Sequence, residues 1–127
     1  WSLLGAQAVE RLRRANVMRI QGTAEGWFAL GEQLLWSTDL ASWREVNAPA
    51  GVGWWHRIVM HREIHFAFVD ADGNDVQLLQ SRDGSTWTPV DVPEGVHLTD
   101  GASDYETFIV VGSQGSNAGA WRLVLPE

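Results

Sequence analysis

Ser81-Arg82-Asp83-Gly84-Ser85-Thr86-Trp87 has the residues of a tight turn closed by an indole. An aspartate at a turn accepts backbone N–H groups from the residues that follow, a glycine adopts positive φ without strain, and a tryptophan can cover the hairpin. Those roles fall on Asp83, Gly84 and Trp87, with Ser81 opening the motif. Ser37-Thr38-Asp39-Leu40-Ala41-Ser42-Trp43 repeats it. Ser37 and Ser81, Asp39 and Asp83, and Trp43 and Trp87 each lie 44 positions apart. Leu40 stands where the second copy has glycine, and because leucine is strained at positive φ, the first turn is expected to differ from the second.

The surroundings of the two motifs repeat as well. A short apolar stretch precedes each (33–36 and 76–80), and an alternating stretch follows (Trp43-Arg44-Glu45-Val46 and Trp87-Thr88-Pro89-Val90). Further upstream, residues 26–30 and 64–69 are apolar runs, residues 16–23 and 54–61 add one more strand to each unit, and turn signals lie at Gly31-Glu32 and across 70–75. A third unit begins near His97, continues through Thr107-Phe108-Ile109-Val110-Val111, is expected to turn across 112–119, and ends in residues 120–125 before any motif. The expected organisation is therefore an N-terminal segment (1–15) and three units at about 16–53, 54–96 and 97–127. In the segment, Val9 and Leu12 among Arg11, Arg13 and Arg14 fit a short amphipathic helix, and the remnant of a preceding unit's outer strand fits nearly as well.

Four-stranded antiparallel units repeating every 40 to 50 residues are the signature of β-propeller blades, which cannot cover both of their own faces without neighbours. Continuous apolar runs such as Phe66-Ala67-Phe68-Val69 agree with burial on both faces. The fold class expected is all-β: propeller blades of four antiparallel strands in an incomplete ring. The motif at 81–87 resembles the Asp-box (BNR repeat) of sialidase-like propellers, S-x-D-x-G-x-T-W, with the glycine one place early. The copy at 37–43 also resembles a hairpin of five-bladed glycoside hydrolase propellers. The resemblance implies a structural role for Ser37, Asp39, Trp43, Ser81, Asp83, Gly84 and Trp87 on the outer rim, away from a central site. It implies no particular activity.

Composition narrows the class of partner. Apolar residues make up 45% and charged residues 20% of the 127-residue chain, which argues against disorder. Eight tryptophans against one tyrosine and four phenylalanines point to indoles at repeated structural positions. Nine basic residues, all arginine, against sixteen acidic ones give a net charge of −7, which repels nucleic acid and anionic lipid. There is no cysteine, hence no disulfide or thiolate site. No apolar run approaches the roughly 20 residues that span a bilayer, so no membrane insertion is expected. The start at Trp1 suggests that a preceding segment, with any targeting signal, is missing.

Gly51-Val52-Gly53-Trp54-Trp55-His56-Arg57 carries the strongest ligand-binding candidates, since glycines before aromatics suit a loop that stacks on a sugar or grips a protein. Trp54, Trp55, His56 and Arg57 are the residues in question; the plainer reading has both indoles filling joints between blades. Asp70, Asp72 and Asp75 place carboxylates in one loop, yet Gly73 and Ser81 stand wrongly for a calcium loop, so a hairpin is preferred. His56, His61 and His65 invite a metal reading, although a turn at Arg62-Glu63 separates the last two. Arg19, Arg57, Arg62 and the adjacent Tyr105-Glu106 are assigned solvent or ion-pair roles, because strand neighbours point to opposite faces. Gly112-Ser113-Gln114-Gly115 reads as a hairpin loop, not a phosphate site. No cofactor is expected.

The expectation for function is a non-catalytic propeller module for protein or glycan binding, extracytoplasmic, completed by further blades or by self-association. A section of a sialidase-like or five-bladed glycosidase is the rival reading, and a structural assembly factor is the third.

Overall fold

The computed structural model describes residues 1–71 and 75–124. One helix, α1 (Ala6–Arg14), precedes eleven strands: β1 (Arg19–Gly22), β2 (Trp27–Leu30), β3 (Leu34–Ser37), β4 (Arg44–Val46), β5 (Trp55–His61), β6 (Ile64–Asp70), β7 (Val76–Ser81), β8 (Thr88–Pro89), β9 (Val96–Ser103), β10 (Phe108–Gln114) and β11 (Asn117–Leu123). They form three antiparallel sheets in sequential order, β1-β2-β3-β4, β5-β6-β7-β8 and β9-β10-β11, none of which closes on itself. The all-β, incomplete arrangement of blade-like units expected from the 44-residue repeat is the arrangement observed.

The sheets stand side by side because the middle one is apolar on both faces. Along β6, Ala67 and Val69 join Phe28, Leu30, Leu34 and Val46 of the first sheet in one core, while Ile64, Phe66 and Phe68 join Leu98, Phe108 and Val110 of the third in another. The period-2 alternation of a strand thus feeds two cores from one run of sequence. Gln21 adds a polar clasp across the first joint. Its side-chain amide donates to the carbonyl of Ile58 and its oxygen accepts the Ile58 N–H, both at 2.8 Å, so β1 is tied to β5 by a side chain that imitates a strand.

The helix covers the outer face of the first sheet. Ala8 and Ala15, with Leu12 between them, pack on Ala29, Leu35 and Trp43. The buried stripe is therefore Ala8–Leu12–Ala15, and Val9, expected on it, is 49% exposed. Small side chains let the helix lie close to a face that already carries the indole of Trp43.

The hairpin motifs correct one expectation. In the second turn, the Ser81 hydroxyl donates to Asp83 Oδ1 and accepts the Gly84 N–H, Asp83 Oδ1 accepts the Ser85 and Thr86 N–H groups, and Trp87 Nε1 donates to the Gly84 carbonyl. The first turn repeats this set atom for atom with Ser37, Asp39, Leu40, Ala41, Ser42 and Trp43. Leu40 does not change the turn; it adopts φ 65° where Gly84 has φ 76°. The turn's hydrogen bonds and the packing of Leu40 near the helix outweigh a left-handed penalty of about 1–2 kcal/mol. A third turn went unrecognised in the sequence. Asp104 Oδ1 accepts the Glu106 and Thr107 N–H groups, with Tyr105 at φ 86° between them.

One further correction concerns the third sheet. β10 continues through Gly112-Ser113-Gln114, so the loop before β11 is only Gly115-Ser116, narrower than the turn expected across 112–119. Gly112 is in the strand because β9 lies against it: a Cβ there would meet the His97 carbonyl oxygen.

Backbone donors hold the Asp39, Asp83 and Asp104 carboxyls below the usual carboxylate range, chiefly the N–H groups of Ser42, Thr86 and Thr107 respectively. A depressed folded-state pKa contributes stability that is present above the unfolded value, about 3.9, and is lost as pH falls through the folded value. Thermal stability is therefore expected to hold from neutral pH to about pH 5 and to fall below about pH 4, with Asp83→Asn, which keeps the acceptor, flattening part of that acid limb in a pH series of melting curves. The two turns should also differ in their response to substitution. Gly84→Ala forces a Cβ to positive φ and to 3.1 Å from Phe28, and should lower stability by about 1–2 kcal/mol in chemical denaturation. Leu40→Gly should change it by less than about 1 kcal/mol, since relief of strain is offset by lost packing and backbone entropy.

Candidate functional site

Alternation of strand direction sorts every connection to one of two ends. The β1–β2, β3–β4, β5–β6, β7–β8 and β9–β10 turns share one end, here the turn end. The opposite, linker end carries the connections from one sheet to the next together with the β2–β3, β6–β7 and β10–β11 turns. The expected ligand loop at 51–57 lies at the linker end, and the three aspartate turns lie at the turn end.

At the linker end the expected quartet is split. A bulge in β5 between Trp55 and Arg57 makes His56 the extra residue, so Trp55 and Ile58 both face the first sheet while Arg57 faces the third. Trp55 is 2% exposed and packs edge-on to Trp87 with ring centroids 5.4 Å apart. It is thus removed from the ligand-contact set and fills a joint between sheets. Trp54 is half-buried, and its carbonyl accepts the Asp70 N–H. His56 and Arg57 remain accessible. Together with Arg19, Val76, Thr99 and Asp100 they line an open groove of about 520 Å³ beside the first strands of the three sheets. Its charges are mostly spent internally: Arg57 Nη1 donates to both Asp100 oxygens at 3.1 Å, and His56 Nε2 lies 2.8 Å from Asp70 Oδ1.

The metal candidates do not assemble. Asp70 is engaged by His56, Asp75 lies 3.6 Å from His97 Nδ1, and Asp72 lies outside the described residues. His61 and His65 sit on opposite faces of the second sheet. His61 is buried against Phe66 and Phe108 with Nδ1 2.8 Å from Ser103 Oγ, whereas His65 packs edge-on to Phe28 of the first sheet, where burial lowers its pKa. Among the described residues there is no group of three or more potential ligands that could hold a metal ion.

The larger groove, about 670 Å³, is at the turn end, where the second and third sheets diverge. The β5–β6 turn brings Arg62, the second aspartate turn brings Arg82 and Thr86, and the third brings Tyr105, while Gln80 and Thr88 form the wall. Among the described residues Arg62 and Tyr105 are two of the four non-glycine residues at positive φ, so two strained turns present side chains to one cleft. Arg62 Nη2 lies 3.8 Å from Glu106, a loose contact between exposed groups. Arg82 is exposed and makes no ion pair among the described residues. Tyr105 and Glu106, read from sequence as strand neighbours, stand in this turn instead. The cleft can present two guanidinium forks, an exposed phenol and several hydroxyl or amide groups to one ligand.

Sequence reading gave Arg62 only a solvent or ion-pair role beside a turn and left Arg82 without a role. The cleft depends on which turns share an end, and Ser103-Asp104 with Thr107 was the one local signal that could have marked the third of them. No family model matches the chain, and no curated protein and no solved structure matches it either.

Proposed function

We propose that the chain is a non-catalytic module of the Asp-box propeller type that binds a protein or glycan partner through the turn-end cleft. The observation that supports this reading most is the convergence of Arg62, Arg82 and Tyr105 from three separate short turns. Such turns are stiff: each is fixed by a hairpin of known register or by an aspartate that caps its backbone. Little conformational entropy then remains to be lost on binding. An exposed phenol offers a flat face, the guanidinium forks match a carboxylate, and Thr86 and Thr88 suit sugar hydroxyls.

Charge selects among ligands. Glu63 lines the same cleft and the chain carries a net charge of −7, so an extended polyanion is repelled while a compact ligand with a single carboxylate is tolerated. An acidic monosaccharide at a glycan terminus, or an acidic side chain on a partner's loop, meets that description. The linker-end groove fits the role less well, because Arg57 and His56 are already paired with Asp100 and Asp70.

Binding of the protein to an array of neutral and acidic glycans should be detectable and strongest for singly carboxylated termini. Arg82→Ala and Tyr105→Asn should each weaken it about tenfold or more, the equivalent of about 1.4 kcal/mol, without lowering the melting temperature. Turnover of a fluorogenic glycoside panel, abolished by changing Asp70 or Glu106, would replace this reading with the glycosidase one.

A further inference from the structure

The three aspartate turns use their serines differently. Ser37 and Ser81 stand two positions before the aspartate, and each hydroxyl stays within its own turn, donating to the Asp Oδ1 and accepting an N–H three residues on. Ser103 stands directly before Asp104, and its hydroxyl turns elsewhere. Its Oγ accepts the N–H of Tyr105 at 3.0 Å, and its other partner lies outside the turn altogether: Nδ1 of His61 in the second sheet, at 2.8 Å.

His61 ends β5 and directly precedes Arg62, while Ser103 ends β9 and precedes Tyr105 by two residues. The bond thus joins two strands at the points from which the β5–β6 turn and the third aspartate turn depart, and those turns supply Arg62 and Tyr105 to the cleft. Other polar contacts across this joint are weaker there. The pair of Arg57 with Asp100 lies at the linker end, and the contact of Arg62 with Glu106 is loose, exposed and open to competition from water. His61 differs because it is 2% exposed, with its ring against Phe66 and Phe108. A ring nitrogen that lost its partner in such surroundings would bear a desolvation cost, so the bond to Ser103 is not readily exchanged. A hydroxyl has one donor and two acceptor sites, which lets Ser103 meet either tautomer of the ring while it accepts the Tyr105 N–H. One oxygen therefore connects the second sheet to the backbone of Tyr105.

We propose that His61 is a positioning residue for the turn-end cleft: through Ser103 it holds the β5–β6 turn and the third aspartate turn at one separation, so that Arg62 and Tyr105 are presented to a single ligand. His61 itself touches no ligand in this scheme. The tie is a property of the fold, and only its consequence for binding rests on the reading of the cleft given above. It also accounts for a histidine beside a core otherwise made of Phe66, Phe68, Phe108 and aliphatic residues, where an apolar side chain would fill the space but could not grip Ser103.

The test is NMR, read in each case at a residue that the substitution does not touch. Because Tyr105 is the one tyrosine of the chain, fluorotyrosine labelling gives a single fluorine signal from the third turn. His61→Phe, which keeps the aromatic packing and removes the ring nitrogens, should shift or broaden that signal, and His61→Asn, whose amide falls near the place of Nδ1, should restore it. Ser103→Ala, at a half-buried position that the fold tolerates, should in turn move the backbone amide of Arg62. Affinity for methyl glucuronide, a singly carboxylated probe, should fall roughly two- to thirtyfold in Ser103→Ala and in His61→Phe, and by no more in the double variant than in either one. A Tyr105 signal unchanged in folded His61→Phe, an Arg62 amide unmoved by Ser103→Ala, or additive losses in the double variant would each overturn the inference. Failure of the wild type to bind the probe would contradict the ligand reading alone, since the fluorine and amide signals need no ligand.

Discussion

Phe66 and Phe68 point to one side of β6 and Ala67 and Val69 to the other, and all four are at most 1% exposed. A sheet with no polar face cannot meet water on either side, so the second sheet must be sandwiched. Two separate cores follow from this, one shared with the first sheet and one with the third. The same constraint is then passed outward. The first sheet meets it with α1, packed through Ala8 and Leu12, and among the described residues the third sheet holds three strands and leaves Val111 exposed.

The aspartate turns set the ends of this stack. In each, one carboxylate oxygen gathers two consecutive backbone N–H groups, which fixes the chain reversal without demanding a particular residue at the left-handed position. Glycine, leucine and tyrosine occupy that position in the three turns, at φ 76°, 65° and 86°. The hydrogen bonds of the turn thus dominate over the preference of the residue inside it, which is the physical reason that two of the three turns depart from a glycine-based pattern.

How much could be read from the residues alone follows from the range of each signal. Ser37, Asp39, Trp43 and their counterparts at 81–87 are local, so the turns, the repeat and the strands around them were legible. Leu40 misled because a residue's own propensity carries nothing of the side-chain and backbone hydrogen bonds that close its turn. The continuous apolar run of β6 disclosed burial on both faces, whereas the run Phe108-Ile109-Val110-Val111, equally apolar in sequence, leaves Val111 42% exposed, and the bulge that turns Trp55 inward leaves no mark in sequence beyond a surplus residue. The cleft was illegible for a different reason: Arg62, Arg82 and Tyr105 are joined only by the rule that alternate turns share an end, and that rule acts on three dimensions rather than on spacing. Gln21 falls in the same class, since its partner Ile58 lies 37 residues away.

Everything rests on the second sheet being held from both sides as one cooperative unit with its neighbours. Native-state hydrogen exchange followed by NMR measures this directly. The amides of β6, Ile64–Asp70, should be the slowest in the chain and should exchange only through global unfolding, with the short β1 opening well below that limit. Amides of β6 that exchange through local opening, as fast as those of β1, would contradict the account.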